Sequence, residues 1–143
     1  MRFFYKMRTF THEMAQMQWA SVDYHKNMSL IGLVQKGGYK ELVAIGSYAH
    51  ESDRTVEVAF VVREDFQGMG IASYLLATLE TIAGENGYDS FSATVLRQNA
   101  AMIRVFKKRY PNSKTKADSG GDITLTMDFN DPDKLESDPG ANS

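Results

Sequence analysis

The chain has 143 residues, with 16 Lys and Arg against 18 Asp and Glu, a formal net charge of −2 and no cysteine. That length is one domain, able to bury roughly two thirds of its unfolded surface without metals or cross-links. The lack of cysteine excludes disulfides, thiolate metal ligands and a cysteine nucleophile, and the balanced charge offers no basic footprint for nucleic acid.

Arg2 to Met7 alternates enough for a short strand or an extended lead-in. The opening Met1-Arg2-Phe3-Phe4-Tyr5-Lys6 lacks the apolar core and cleavage site of a signal peptide. Thr11 reads as a helix cap, and Met14, Met17, Trp19 and Val22 predict a helix from about 12 to 20, with looser helical character to about 27. Met28 to Val34 is an apolar strand that meets the turn signal Gln35-Lys36-Gly37-Gly38-Tyr39. A second strand runs from about Glu41 to His50, and the polar break Glu51-Ser52-Asp53-Arg54 leads into a third, about Thr55 to Arg63. Ile71, Leu75, Leu79 and Ile82 then recur at helical spacing, with Gly84 and Gly87 flanking the stop. Tyr88 to Leu96 reads as a strand and Asn99 to Arg109 as a helix that Pro111 halts. Its Lys107-Lys108-Arg109 run reads as a solvated end complementing the helix dipole. Ser113 to Ala117 and Ile123 to Phe129 close the domain as strands about a Gly120-Gly121 turn.

From Asn130 on, the chain is polar and acidic and reads as a disordered tail, which places the domain at 1–129 and the tail at 130–143. No stretch approaches the roughly 20 apolar residues of a membrane span, so a soluble, cytoplasmic protein without a membrane partner is expected. Strands in runs, with helices between some of them, predict a mixed α/β or α+β sheet.

Two features carry chemistry. Gly68 and Gly70 lie between a strand and a helix start. Backbone amides without side chains beside them, together with the helix dipole, suit a diphosphate. Gly-Met-Gly alone is equally a plain tight turn, and it is neither a P-loop nor a dinucleotide fingerprint. The second feature is Glu57, an acid within the apolar run Val56 to Val62. Period-two alternation sets it with Ala59 and Val61, opposite Val56, Val58 and Phe60. Burying an unpaired carboxylate is costly, so Glu57 is expected to be paired, neutral or functional, an ordinary ion pair being the plain reading. His12, His25 and His50 have no ligand spacing, so no metal is expected. The methionines and Trp19 read as packing. Glu51, Asp53, Glu64 and Asp65 read as solvated hairpin acids that also suit a cationic substrate.

Gln67-Gly68-Met69-Gly70-Ile71-Ala72 matches Gln/Arg-x-x-Gly-x-Gly/Ala, and Asn99-Ala100-Ala101-Met102-Ile103-Arg104-Val105-Phe106 is similar to the motif that follows it in the GNAT family of N-acetyltransferases. The resemblance covers roughly residues 2 to 129, in the order helices, three-strand meander, long helix, strand, helix and hairpin. Arg2-Phe3-Phe4, Val22 to Leu30 and Glu57 to Arg63 resemble, more narrowly, the acetyltransferase domain of bacterial protein-lysine acetyltransferases. There it is often fused to a second domain, so this chain reads as the catalytic module alone.

The resemblance implies a central, mostly antiparallel twisted sheet with splayed strands flanked by helices. It implies acetyl-CoA as co-substrate, bound along Phe60, Val61 and Val62, with the diphosphate on the amides of Gln67, Gly68, Met69, Gly70, Ile71 and Ala72. Asn99 would contact the cofactor arm and Phe106 would pack on it. Glu57 would be the general base for a lysine amine, directly or through water, its pKa raised by partial desolvation. Many relatives place a proton-donating tyrosine where Phe106 stands, which implies another proton route here. A four-residue loop at Glu51 to Arg54 would set Tyr48 opposite Glu57 as a supporting group, although a structural tyrosine is the plainer reading. A small amine as acceptor, or a silent acyl-CoA-binding module, are the rival readings, and a monomer or homodimer fits either.

Overall fold

The structure, a computed structural model, describes residues 2–6, 17–24 and 26–135. Strands β1 (Arg2–Lys6), β2 (Gln18–Tyr24), β3 (Asn27–Lys36), β4 (Tyr39–His50) and β5 (Thr55–Val62) come first. A 3₁₀ turn (Glu64–Phe66), helix α1 (Ile71–Glu85), strand β6 (Ser90–Val95), helix α2 (Ala100–Arg109) and strands β7 (Lys114–Ala117) and β8 (Ile123–Asp128) follow. They form one sheet of eight strands in the order β1-β2-β3-β4-β5-β6-β8-β7. This is the mixed, mostly antiparallel sheet that the resemblance implied. Its neighbours run antiparallel except for β5 and β6, which α1 connects as a parallel crossover.

One expected element is replaced. The helix assigned from about 12 to 20 would include residues that instead form β2, which pairs with β1 from Lys6↔Gln18 to Arg2↔Val22 and with β3 from Gln18↔Leu33 to Tyr24↔Asn27. Trp19 and Val22, three apart, fit a helix face, but both are strand formers, and the partner strand sits just beyond a turn at which Lys26 adopts φ 72°. Trp19 is buried with its ring 5.3 Å from that of Tyr74 on α1, and Gly32 opposite it has no room for a Cβ. The proposed cap Thr11 and residues 12–16 lie outside the described residues.

Both helices cover the face that carries Val56, Val58 and Phe60. Ile71, Leu75, Leu76, Leu79 and Ala83 of α1 are buried there, and Phe106 of α2 lies with its ring 5.9 Å from Phe60. Each such large side chain contributes about 1.5–3 kcal/mol when fully buried. Gly46 of β4 matters to this packing, because a Cβ on it would come 2.9 Å from the Phe60 ring and 3.3 Å from Leu75. The glycine lets the helix and the aromatic layer approach the sheet.

The expected domain edge at 129 is not where the ordered packing ends. Asp131 is buried and accepts hydrogen bonds from the Asn112 amide at 2.9 Å and the Asn112 side chain at 2.7 Å. Lys134 Nζ donates to Glu80 at 2.7 Å and to the Phe129 carbonyl at 2.7 Å, and the Leu135 amide donates to the Arg109 carbonyl at 3.0 Å. The Lys107-Lys108-Arg109 run is also less solvated than its composition implied. Arg109 turns inward onto the buried Glu80, Lys107 donates to the Ser113 carbonyl, and Lys108 is exposed. No described helix is long and apolar enough to cross a membrane.

Candidate active site

The site begins where parallel pairing ends. β5 meets β6 only at Thr55↔Ser90, Val56↔Phe91 and Glu57↔Ser92, whereas β5 runs on to Val62. The Arg63 amide donates to the Val43 carbonyl at 2.8 Å. Backbone groups alternate in direction along a strand, so those of Arg63, Val61 and Ala59 point to β4. Those of Phe60 and Val62 point the other way, into the gap left by β6. The stretch from Glu57 to Val62 is about 17 Å at about 3.3 Å per residue, comparable to an extended pantetheine arm.

At the far end of that edge the chain turns tightly. Gly68 and Gly70 take φ of 82° and 84°, the left-handed region that favours glycine. The first helical bond of α1 runs from the Tyr74 amide to the Gly70 carbonyl, and among the described residues no side chain caps the helix. Amides in the first turn therefore remain available as donors, and the helix dipole adds partial positive charge. Gln67 Nε2 donates to the Val62 carbonyl at 3.0 Å, fastening the turn to the strand. Arg63 spans Asp65 at 2.7 Å and Glu41 at 3.2 Å and lies over the Phe66 ring. The same guanidinium holds the Asp65 carboxyl below the usual carboxylate range, so this acid next to the turn is counterbalanced.

These parts enclose a cleft of about 450 Å³. It brings together Phe60, Val61, Val62, Gln67, Gly68, Gly70, Ile71, Ala72 and Asn99, all anticipated from sequence. Asn99 caps α2, accepting from the Met102 amide at 3.2 Å. Two anticipated residues stand apart from the lining. Met69 is half-buried against the core, and Phe106 is buried beneath Phe60, so it supports the wall without forming it. Phe66, Ser73, Ala101, Met102 and Val105 line the cleft and were missed. Helical spacing was the available signal: Ser73 is in the first turn after Gly70, and Met102 and Val105 lie three and six residues beyond Asn99.

Glu57 differs from expectation in burial. It is exposed, as are Ala59 and Val61, on the face away from the helices. The anticipated cost of a buried carboxylate does not arise. Its antiparallel partner is Ala49, not Tyr48, which instead opposes Val58. The shift of one residue moves Tyr48 to the other face. There it is buried, burial pushes its phenol above the ordinary value, and it accepts a hydrogen bond from Asn86 at 2.9 Å. Tyr48 is thus a core tyrosine whose hydroxyl does not reach Glu57.

Around Glu57, a shallow groove of about 470 Å³ is bordered by Asn27, Ser29, Ser47, Tyr48, Ala49, Val58, Ala59 and Thr94. Beside it Ser92 donates its hydroxyl to Glu51 at 2.7 Å. Among the described residues no group of His, Asp and Glu is arranged to hold a metal ion. His50 is engaged with the Tyr88 hydroxyl at 2.8 Å, whereas His12 and His25 lie outside the described residues.

Comparison with known proteins places this geometry. The family model Acetyltransferase (GNAT) family matches residues 2–110. Acetyltransferase Pat of Mycolicibacterium smegmatis is 32% identical over 61% of this chain and 26% of its own length. Acetyltransferase PA5475 of Pseudomonas aeruginosa is 26% identical over 69% of this chain and 57% of its own. The chain therefore spans about a quarter to just over half of these curated relatives. The crystal structure of the GNAT domain of S. lividans PAT superposes with a TM-score of 0.62 at 30% identity, covering 75% of this chain and 63% of that one.

Proposed function

Because this chain belongs to the Acetyltransferase (GNAT) family, we propose that it transfers an acetyl group from acetyl-CoA to a primary amine, a protein lysine side chain in the first instance, with Glu57 as general base. One observation carries the reading. The unpaired edge of β5 leads from free amides at Gly70 and α1, suited to a diphosphate, to a carboxylate at the vertex of the strand splay.

The chemistry follows from the parts. Amides of residues 67–72 hold the diphosphate and the Phe60 and Val62 backbone holds the amide groups of the pantetheine arm, which delivers the thioester toward Glu57. A lysine ammonium, with pKa about 10.4, costs about 4 to 5 kcal/mol to deprotonate at pH 7. A carboxylate within reach, directly or through one water, lowers that barrier. The neutral nitrogen then attacks the carbonyl, and no covalent enzyme intermediate is needed.

Two things favour lysine as acceptor. Glu57 lies on an open sheet face whose nearest neighbours are small, so a side chain carried by another protein can reach it. Residues 22–30 and 57–63 also resemble the protein-lysine acetylating group. Incubating the protein with labelled acetyl-CoA, lysine peptides, a denatured lysate and a panel of small amines tests the reading by mass spectrometry. Label on protein lysines is the expected result. Label confined to small amines would reassign the acceptor, and failure to bind acetyl-CoA would remove the whole reading.

A further inference from the structure

Cleaving a thioester leaves sulfur as a thiolate, and an alkyl thiol such as that of cysteine ionises at about 8.5. At neutral pH the departing sulfur therefore takes up a proton, and none of the described residues lining the cofactor cleft is an acid that could supply it. Among the described residues its lining holds apolar side chains, glycines, two side-chain amides and the Ser73 hydroxyl near the helix start, but no titratable group. Phe106, under Phe60, has no hydroxyl.

The core tyrosines are committed elsewhere. Tyr110 donates to the buried carboxylate of Glu80, and burial pushes its phenol far above the ordinary value. Tyr48 accepts from Asn86 and is buried on the helix side of the sheet, Tyr88 pairs with His50, and Tyr74 lies against Trp19. Ser92, next to Glu57 across the strand pair, has given its one hydroxyl proton to Glu51. The Glu51 amide in turn donates to the Thr55 carbonyl at 3.0 Å. Tyr48 also borders the groove at the vertex, but it is buried and pairs with Val58 on the helix side of the sheet, so among the described residues that border the groove Glu57 is the exposed titratable side chain.

We propose that Glu57 acts twice in each turnover, first as the base toward nitrogen and then as the acid toward sulfur. The proposal rests on the reading of the chain as an N-acetyltransferase. The acceptor arrives as an ammonium and loses one proton through Glu57, whose exposed carboxylate passes it to solvent. The free amine forms the C–N bond, and the carbonyl π electrons move to oxygen. The nitrogen of the adduct now bears a positive charge. Glu57 removes a proton from it and hands that proton to sulfur as the C–S bond breaks and the carbonyl reforms. The products are a secondary amide, the CoA thiol, one proton in solvent and Glu57 again as carboxylate, so the charges and atoms balance.

The test compares wild type with Glu57→Gln on a lysine peptide and on a weakly basic primary amine that is already neutral at about pH 7. Unchanged acetyl-CoA affinity in the variant verifies its fold. With the neutral amine the first deprotonation is unnecessary, yet the second transfer remains. The variant should still be slower than wild type by about tenfold or more, and the wild-type rate should not decline between about pH 8 and 10. Disappearance of the variant's deficit with the neutral amine would overturn the proposal. So would a falling limb near a thiol or phenol ionisation, because it would reveal a separate, pre-protonated acid. If wild type binds acetyl-CoA but acetylates no amine, the underlying transferase reading fails and this proposal falls with it.

Discussion

Replacing Glu57 by glutamine isolates the proton chemistry from folding. The side chain is exposed and in no ion pair among the described residues, so the substitution should change stability by no more than about 0.5 kcal/mol. It lies about 17 Å along β5 from Val62, where the cofactor turn begins, so acetyl-CoA affinity should also hold. The acceptor amine is where the effect falls. Neutralising a lysine at pH 7 costs about 4 to 5 kcal/mol, and a positioned base is worth about 10²- to 10⁴-fold. We expect kcat/KM for a lysine peptide to fall by about 10²- to 10³-fold. Without a base, the variant depends on amine already deprotonated in solution. Its rate should therefore climb about tenfold per pH unit until about 10.4. Continuous detection of released thiol gives the rates, and calorimetric titration gives the acetyl-CoA affinity. A variant within threefold of wild type, or one whose rate ignores pH, would refute Glu57 as the base.

Other substitutions probe the supports of the site. Gly70→Ala places a Cβ in open space but at φ 84°; the backbone cost of about 1–2 kcal/mol should lower both Tm and acetyl-CoA affinity, as read by thermal shift with and without ligand. Gly46→Val drives a side chain into Phe60 and Leu75 and should cost about 1–3 kcal/mol in urea unfolding. Glu80→Ala removes the carboxylate shared by Arg109, Tyr110 and Lys134, and leaving those donors buried should cost about 3–5 kcal/mol. Burial raises the Asp131 carboxyl, but hydrogen bonds from the Asp133 amide and Asn112 outweigh it and hold the group below its ordinary value. A depressed acid stabilises the fold above its unfolded pKa, about 3.9, and that contribution disappears as pH falls through the lower folded value. Asn112→Ala should shift the Asp131 titration, followed by NMR, to higher pH.

What could be read from sequence divides along physical lines. The stripe Ile71, Leu75, Leu79 is long and strongly periodic, and α1 buries those residues. The Gly68 and Gly70 turn was legible because positive φ selects glycine. The segment from Met17 to Tyr24 was not, since the spacing of Trp19 and Val22 suits a helix while their residue types suit a strand, and only pairing with two neighbouring strands decides between them. Tyr48 was misplaced because loop length sets register, and one residue reverses the face. The packing of residues 130–135 was invisible to composition because it depends on partners set earlier in the chain, Asn112 for Asp131, Glu80 for Lys134 and the Arg109 carbonyl for Leu135.

The exposure of Glu57 bears most directly on mechanism. A carboxylate sunk in the sheet would demand a partner cation, and that cation would compete with the acceptor ammonium for it. On the open face the demand vanishes, and solvent is at hand to receive the proton that each turnover releases. In the proposed reaction the cofactor arrives from the other direction, through a gap made by strands that stop pairing at Glu57 and Ser92. Those two residues are therefore the last point at which β5 and β6 pair and, in the proposed mechanism, the first at which a thioester and an amine can meet. A substitution that extended the β5–β6 pairing beyond them would close the cofactor edge while leaving Glu57 exposed, and it should abolish acetyl-CoA binding without disturbing the acceptor groove.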